Sequence, residues 1–485
     1  MKKRLSRIVS DLPYTVLGGD LSISITGIAY DSNSVSEGNL FVCIKGFKRD
    51  GHDYALDAYR RGAKAFLVEK ETDLPGAVVR VCNTRKALAL VSKKFYGQPS
   101  IILIGITGTN GKTTTSYLTK SVLDTSGIKS GLIGTIEYVA GQDRTNSVRT
   151  TPESSDLYKS LHTMESKGIT HVVMEVTSHG LALERVHGLD FNCAAFTNLS
   201  HDHIDFHRTT ENYRNAKLKL FRNLKGDAFS IVNLDDPVGR EIAKISTGRV
   251  LTYALRSNAD VTASFTPRGW EGSEITILSD GEEYRFITAL IGTPNIYNVL
   301  AAFAIGRALR LKEESIIEGL AGLNTVPGRF EVVATDPRVV VDYAHTPDAL
   351  ASLLSSVKQL TRGKVISVFG CGGERDVSKR PAMGKISADL ADLTIITSDN
   401  PRSEPPDSII SDIRKGVNSL SSDVRQCEDR REAIRHALTE ASLEDTVVIA
   451  GRGHEKSQII GNDRIPFDDR EVTKEIHGSI RGRDR

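Results

Sequence analysis

Residues 101–106, Ile101-Ile-Leu-Ile-Gly-Ile, form an unbroken apolar run of the kind that fills a strand buried on both faces of a parallel sheet. Similar runs at Val172-Val-Met-Glu-Val, Ala194-Ala-Phe-Thr and Phe229-Ser-Ile-Val predict further strands, with helices from Gly111 and from about Thr210 between them. Alternation of this sort predicts a parallel sheet with helices on both faces. Before it, residues 1–98 read as short strands, one of them Leu40-Phe-Val-Cys-Ile, with one clear helix from Tyr54 to Gly62. Between about Val250 and Leu290 the period falls to two, in Glu274-Ile-Thr-Ile-Leu and Tyr284-Arg-Phe-Ile-Thr around Ser279-Asp-Gly, which predicts a hairpin.

From Gly328 the strand–helix alternation resumes. Strands are expected at Val339-Val-Val-Asp, Val365-Ile-Ser-Val-Phe, Thr394-Ile-Ile-Thr and Val447-Val-Ile-Ala, and helices over Pro347 to Leu360 and around Ala382 to Ala391. With Gln98-Pro-Ser as punctuation, the chain divides into expected domains 1–98, 99–327 and 328–485. A length of 485 residues needs more than one core. No stretch approaches the roughly 20 apolar residues of a membrane span. Leu5-Ser-Arg-Ile-Val-Ser-Asp, behind the opening lysines, does not read as a secretory core.

A formal net charge of +2 gives no reason to expect a nucleic-acid partner, and the basic stretches at 1–4 and 481–485 read as solvated termini. Five scattered cysteines, Cys43, Cys82, Cys193, Cys371 and Cys427, make no CxxC pair and read as reduced, buried small residues of a cytoplasmic protein.

Chemistry concentrates at Gly105-Ile-Thr-Gly-Thr-Asn-Gly-Lys-Thr-Thr, between a buried strand and a helix. Glycines there let backbone N–H groups fold around phosphate oxygens, the helix N-terminus adds a positive dipole, and Lys112 can reach the β- and γ-phosphates. The Thr113 hydroxyl is a candidate Mg²⁺ ligand. The commoner pattern has glycine where this chain has Ile106, so the match is to the shorter GTNGKTT form. Glu175 ends its strand at the edge where ligands bind in open α/β sheets, a second candidate for Mg²⁺. His201-Asp-His-Ile-Asp-Phe-His has the flavour of a binuclear metallohydrolase signature, but Phe206 breaks the spacing and such an enzyme has no use for a phosphate loop. His203 alone, as a magnesium ligand or close to one, is the more economical reading.

Taken in order, GTNGKTT, Glu175-Val-Thr-Ser-His-Gly, Thr197-Asn-Leu-Ser-His-Asp-His, Ala216-Lys217, Asn295-Ile-Tyr-Asn298, Pro327-Gly-Arg329-Phe-Glu and Asp342-Tyr-Ala-His-Thr-Pro-Asp resemble the Mur ligases from end to end. The resemblance implies a three-domain α/β fold: an N-terminal UDP-binding domain, a central P-loop ATPase with a parallel sheet, and a C-terminal Rossmann-like domain. It implies a monomeric ligase in which ATP phosphorylates a substrate carboxylate and an amino acid's amine displaces the phosphate. Gly108, Thr109, Asn110, Gly111, Lys112, Thr113 and Thr114, with Asn295 and Asn298, fall on the family's ATP-binding positions. Arg329 and Asp342 fall on catalytic ones. Lys217 falls on a lysine that takes up CO₂ as a carbamate and, with Thr113, Glu175 and His203, holds Mg²⁺.

Within the family the chain resembles the diaminopimelate-adding branch. Ser32, beside Leu40-Phe-Val and the stretch from Gly46 to His52, falls on the UDP-precursor site, as do Thr150, Thr151, Thr177 and Arg185. A glutamine found in some relatives is Leu183 here. Asp399, Asn400, Pro401 and Arg402, with Arg375, Gly451 and Glu455, fall on the diaminopimelate site. The chemical sense is direct: diaminopimelate carries one carboxylate more than lysine, and a guanidinium can pair with it bidentately. A folylpolyglutamate synthetase shares the loop and the chemistry, but there the loop lies near the start, whereas residues 1–104 precede it here.

Overall fold

The computed structural model describes residues 1–47, 49–417 and 423–481, leaving the basic run 482–485 outside the described residues. The chain packs as two compact units. One comprises Met1–Gly105, Ile128–Asn192 and Arg222–Ala228; the other comprises Ile106–Gly127, Cys193–Phe221 and Phe229–Arg485.

In the first unit a five-stranded sheet runs in the order Tyr14–Gly18, Ala77–Val81, Ala65–Val68, Asn39–Val42, Gly27–Ala29, parallel except for its first strand. Alternate side chains serve two cores, as the pleat requires. Leu40, Val42 and Leu67 face Leu88, Val91 and Phe95, while Phe41, Phe66 and Val68 face Ala55 and Ala58. Residues 1–98 therefore hold two principal helices, not one: Ala55–Arg60 and the longer Thr84–Tyr96, whose Asn83 side chain caps it by accepting from Lys86 N. Also here, Ser130–Ile133 pairs parallel to His171–Glu175 and antiparallel to Glu137–Ala140.

The strand Ile102–Thr107 carries the chain into the second unit and ends at the phosphate loop. There Cys193–Phe196, Phe229–Asn233 and Arg249–Ala254 run parallel. Ser273–Ser279 and Glu282–Thr288 form the expected hairpin with register Ser279↔Glu282. Helices Lys112–Thr125 and Glu313–Gly322 approach so closely that a side chain at Gly319 would strike the Val122 backbone. The last sheet has the order Glu331–Thr335, Arg338–Asp342, Thr446–Ala450, Val365–Phe369, Leu393–Ile396, Asp423–Gln426, parallel after its first pair. Val340 and Val448 face one core of this layer, and Val339, Val341, Val447 and Ile449 the other.

All five cysteines are free. Cys43, Cys193 and Cys371 are buried, but Cys82 is exposed and Cys427 half-buried, because both follow strand ends rather than lie within a sheet. At the N-terminus Lys3 is not fully solvated: its Nζ donates to Lys94 O at 2.7 Å. Among the described residues no helix is long and apolar enough to cross a membrane.

Candidate active site

The phosphate loop owes its shape to two glycines. Gly108 and Gly111 have φ of 151° and 84°, and a side chain at either would collide with Thr197 or Asn298. Thr197 Oγ1 donates to Asn110 O at 2.6 Å, and Thr109 Oγ1 lies 2.9 Å from Tyr213 OH. Asn298 accepts from Thr115 Oγ1 and donates to Asn295 Oδ1 at 3.0 Å, joining both asparagines to the helix behind the loop. Thr113 and Thr114 are buried in the first turn of Lys112–Thr125.

Two lysine side chains converge on one carbonyl. Lys112 Nζ donates to Gly108 O at 2.9 Å and Thr109 O at 2.7 Å, and Lys217 Nζ donates to Gly108 O at 2.8 Å. Lys217 is 1% exposed, with Tyr213's ring centroid 4.5 Å from its Nζ. Burial and the neighbouring Lys112 hold its amine well below the usual lysine range, against a smaller opposing pull from Asp202. His203, in a left-handed conformation with φ 56°, sets Nε2 3.3 Å from Asp202. Burial pushes Asp202 up, but His203, His345 and Lys379 outweigh it and bring the carboxyl down to about 2. Of the flanking histidines, His201 pairs with Asp376 at 3.0 Å and His207 is buried.

Arg329 meets the loop from the far side in sequence. Its Nη2 donates to Thr113 Oγ1 at 3.3 Å while its guanidinium stacks 4.4 Å from the Tyr343 ring. Asp342 accepts from Phe330 N at 2.6 Å and Ala344 N at 2.7 Å; burial raises its pKa against the pull of Arg329.

The same unit assembles a second polar cluster. Arg402, with φ 55°, donates through Nη1 to Gly373 O at 2.6 Å. Burial lowers its pKa, and nearby Arg375 adds to the effect. Asn400 Nδ2 donates to Glu455 at 2.8 Å, and its Oδ1 accepts from Arg452, which is fully buried. Burial and the neighbouring Asp399 raise the pKa of Glu455. Gly451, φ 111°, leaves room beside the Asp399 carboxylate. Pro401 O accepts from Glu404 N, closing the turn.

The first unit gathers the hydroxyls. Glu175 accepts from Thr135 N at 2.8 Å and Thr135 Oγ1 at 2.9 Å, and Thr135 Oγ1 lies 3.1 Å from Thr150 Oγ1. Thr151 Oγ1 donates to Glu175 O and lies 3.0 Å from Thr177 Oγ1; Arg185 donates to Thr151 O at 3.1 Å. Ser32 opens a short turn capped by Asp31. Glu175 thus lies in one unit, and Thr113, His203 and Lys217 in the other. Thr135, Asp202, Tyr213 and Arg452 were not anticipated: Thr135, Tyr213 and Arg452 act on site residues far along the chain, and Asp202 sits beside His203 inside a motif read for its histidines.

Three family descriptions match the chain: "Mur ligase family, catalytic domain" over 24–96, "Mur ligase middle domain" over 106–306 and "Mur ligase, glutamate ligase domain" over 328–453. The chain is 43% identical over 485 residues to the UDP-N-acetylmuramoyl-L-alanyl-D-glutamate–2,6-diaminopimelate ligase of Clostridium perfringens, covering 97% of this chain and 99% of that one. A Clostridium acetobutylicum protein of the same name is 43% identical over 481 residues, covering 98% and 99%. A solved structure of a UDP-N-acetylmuramoyl-L-alanyl-D-glutamate–2,6-diaminopimelate ligase superposes with a TM-score of 0.68 at 30% identity, over 99% of this chain and 100% of that one.

Proposed function

The chain belongs to the Mur ligase family, with its three-domain α/β fold, and from that premise we propose that it adds meso-diaminopimelate to UDP-N-acetylmuramoyl-L-alanyl-D-glutamate in peptidoglycan precursor synthesis. It is an ATP-dependent ligase. A carboxylate resists attack by an amine until one oxygen becomes a good leaving group. The precursor's D-glutamyl carboxylate attacks the γ-phosphorus of ATP, ADP departs, and an acyl phosphate forms. The amine then attacks the acyl carbon, the C–O bond to phosphate breaks, and the nitrogen gives up a proton as the amide forms. Catalysis of this kind is positioning plus charge neutralisation.

The loop from Gly108 to Thr114 holds the phosphates by backbone N–H groups, with Lys112 and Arg329 offsetting their charge. Asn295, Asn298 and Asp342 hold the nucleotide. Ser32, Thr150, Thr151, Thr177 and Arg185 take the precursor. In this reading residues 1–98, 99–327 and 328–485 serve the precursor, ATP and the amino acid respectively, and ATP as co-substrate puts the reaction in the cytoplasm.

Mg²⁺ fits the residues present once Lys217 is carbamylated. Among the described residues no group of three or more His, Cys, Asp or Glu could hold a metal, so a further anionic oxygen beside Thr113 and His203 would complete the donor set. The neutral amine is the form that takes up CO₂, burial and Lys112 lower the pKa of Lys217 and so favour that form, and a carbamate supplies the oxygen a hard cation prefers. Thr113, His203 and the carbamate of Lys217, which share one unit, would hold the ion, which when bound would neutralise phosphate charge.

The observation that carries the amino-acid assignment is the cluster of Arg402, Arg375, Asp399, Asn400 and Glu455, which offers cations to a carboxylate and anions to an ammonium. A zwitterionic amino-acid centre needs both. Phosphate release measured across a panel of UDP-muramoyl precursors and amino acids tests the whole reading: turnover should peak with the L-alanyl-D-glutamate precursor plus meso-diaminopimelate. Equal or faster turnover with another pair overturns it.

A further inference from the structure

Glu153, the residue before the helix Ser154–Ser166, is 5% exposed, yet three guanidinium groups surround it. Arg149 Nη1 lies 2.6 Å from Oε1, Arg185 Nη2 2.8 Å from the same oxygen, and Arg85 Nη1 3.6 Å from Oε2. The last distance is too long for a hydrogen bond. Arg85 Nη1 is buried and makes none, although Nη2 donates to Lys45 O at 3.2 Å.

Two other acids stand near, and both are engaged. Glu69 accepts from Thr84 N at 2.8 Å and Oγ1 at 2.9 Å, and Asp156 accepts from Tyr30 OH at 2.6 Å. Burial lowers the pKa of Arg85; Glu153 opposes that, and Arg185 and Arg149 add to it. Glu153 satisfies Arg149 and Arg185 but leaves the buried Nη1 of Arg85 without a hydrogen bond, so the cluster keeps a charged donor for an incoming anion.

Where the cluster lies says what that charge is. On one side Arg85 holds Lys45 O, just before the stretch from Gly46 to His52 read as part of the UDP-precursor site, and Tyr30 adjoins Asp31 and Ser32. On the other, Arg185 donates to Thr151 O, and Thr151 touches Thr177. A UDP-muramoyl dipeptide is a linear molecule whose diphosphate separates uridine from the sugar and peptide. We propose that Arg85 and Arg149 join Arg185 as the seat of the precursor's diphosphate, with Glu153 keeping the three guanidiniums gathered until that anion arrives. The inference rests on the ligase reading above for the substrate's identity. Guanidiniums suit the task because they pair bidentately with phosphate oxygens and keep their charge when partly buried.

Calorimetric titration of UDP and of uridine, with ligase assays at varied precursor, tests it on the full chain. Arg85→Gln should weaken UDP about tenfold to a hundredfold, the scale of a lost charge-assisted pair, and leave uridine unchanged. Precursor KM should rise in step, with kcat within about twofold of the parent. Arg149 is exposed, so Arg149→Gln should fold normally; it should weaken UDP by about threefold or more. Unchanged UDP affinity in both variants overturns the proposal. So does a raised precursor KM with UDP unaffected, which would assign the guanidiniums to the free D-glutamyl carboxylate instead. Failure of the ligase reading looks different: the unaltered enzyme would turn over no precursor, whatever the UDP titrations return.

Discussion

Lys217 and Lys219 lie two residues apart on the helix Thr210–Arg222, yet one is buried against Gly108 O and the other is exposed. Burial and the neighbouring Lys112 disfavour an ammonium at Lys217 more than Asp202 favours it, which is why its pKa is lowered. Lys217→Ala should therefore be nearly inactive, with acetate or another short carboxylate partly restoring turnover by filling the carbamate's space; Lys219→Ala should change turnover little. The pH dependence has a definite sign. A depressed amine pKa keeps the neutral, CO₂-reactive form down to lower pH than an ordinary lysine, and acidification through that pKa should remove activity that added bicarbonate partly restores. Full activity of Lys217→Ala in CO₂-depleted buffer would refute the carbamate. Lys112→Ala should abolish turnover while the thermal melt stays near the parent's, since its ammonium donates to two carbonyls of its own loop. Both lysines are legible in the sequence, because a phosphate loop and the motif around Ala216-Lys217 are local patterns. Thr135, which holds both oxygens of Glu175 from 40 positions away, is not. Nor is Arg85, whose partner Glu153 is set by tertiary packing.

The elements were legible wherever one residue pattern dominated. Pro347–Leu360 and Val365–Phe369 have the bounds that their apolar spacing predicts. Thr293–Ala308 escaped notice because it is buried nearly all round, so it shows no polar face and no period of 3.6. Arg430–Glu440 and Asp469–Arg481 escaped for the opposite reason, being rich in charge. Those two helices are tied by a wholly buried pair, Arg430 Nε to Asp469 Oδ1 and Nη2 to Oδ2, both at 2.8 Å. Removing one partner leaves the other buried and unpaired, so Asp469→Ala should lower stability by about 3–5 kcal/mol, read as a shift of the urea midpoint. An unchanged midpoint would mean that water reaches Arg430. In the proposed reading, selectivity lies in the loop carrying Asp399, Asn400 and Arg402. Lysine leaves a partly buried guanidinium without its carboxylate, a loss of about 2–5 kcal/mol, or roughly thirtyfold to several thousandfold in kcat/KM against meso-diaminopimelate. Arg402→Ala should shrink that ratio chiefly by harming diaminopimelate, and a parent enzyme that prefers lysine would refute the assignment.

At the scale of the whole chain, packing follows no simple cut. Each compact unit draws on three separate stretches, and the strand Ile102–Thr107 belongs to both. Composition and Pro-rich punctuation suggest the borders 98 and 327 but carry no information about which distant stretches pack together, since that depends on contacts the chain makes only when folded. The residues read as binding precursor come from the first unit. Those read as binding ATP and the amino acid come from the second, and Glu175 comes from the first. A ligase built this way must not discharge its acyl phosphate before the amine arrives, or ATP would be consumed without product. Exclusion of water from the activated carboxylate is the physical requirement. Enzyme mixed with ATP and precursor but no amino acid should therefore release no more than about one phosphate per enzyme, a single-turnover level. Meso-diaminopimelate added afterwards should start steady release in step with amide formation. Arg402→Ala should show the same small first phase, because its side chain serves the amine-bearing substrate, but a much slower steady phase. Sustained phosphate release without any amine would refute the coupling and make the chain an ATPase with an occasional acceptor.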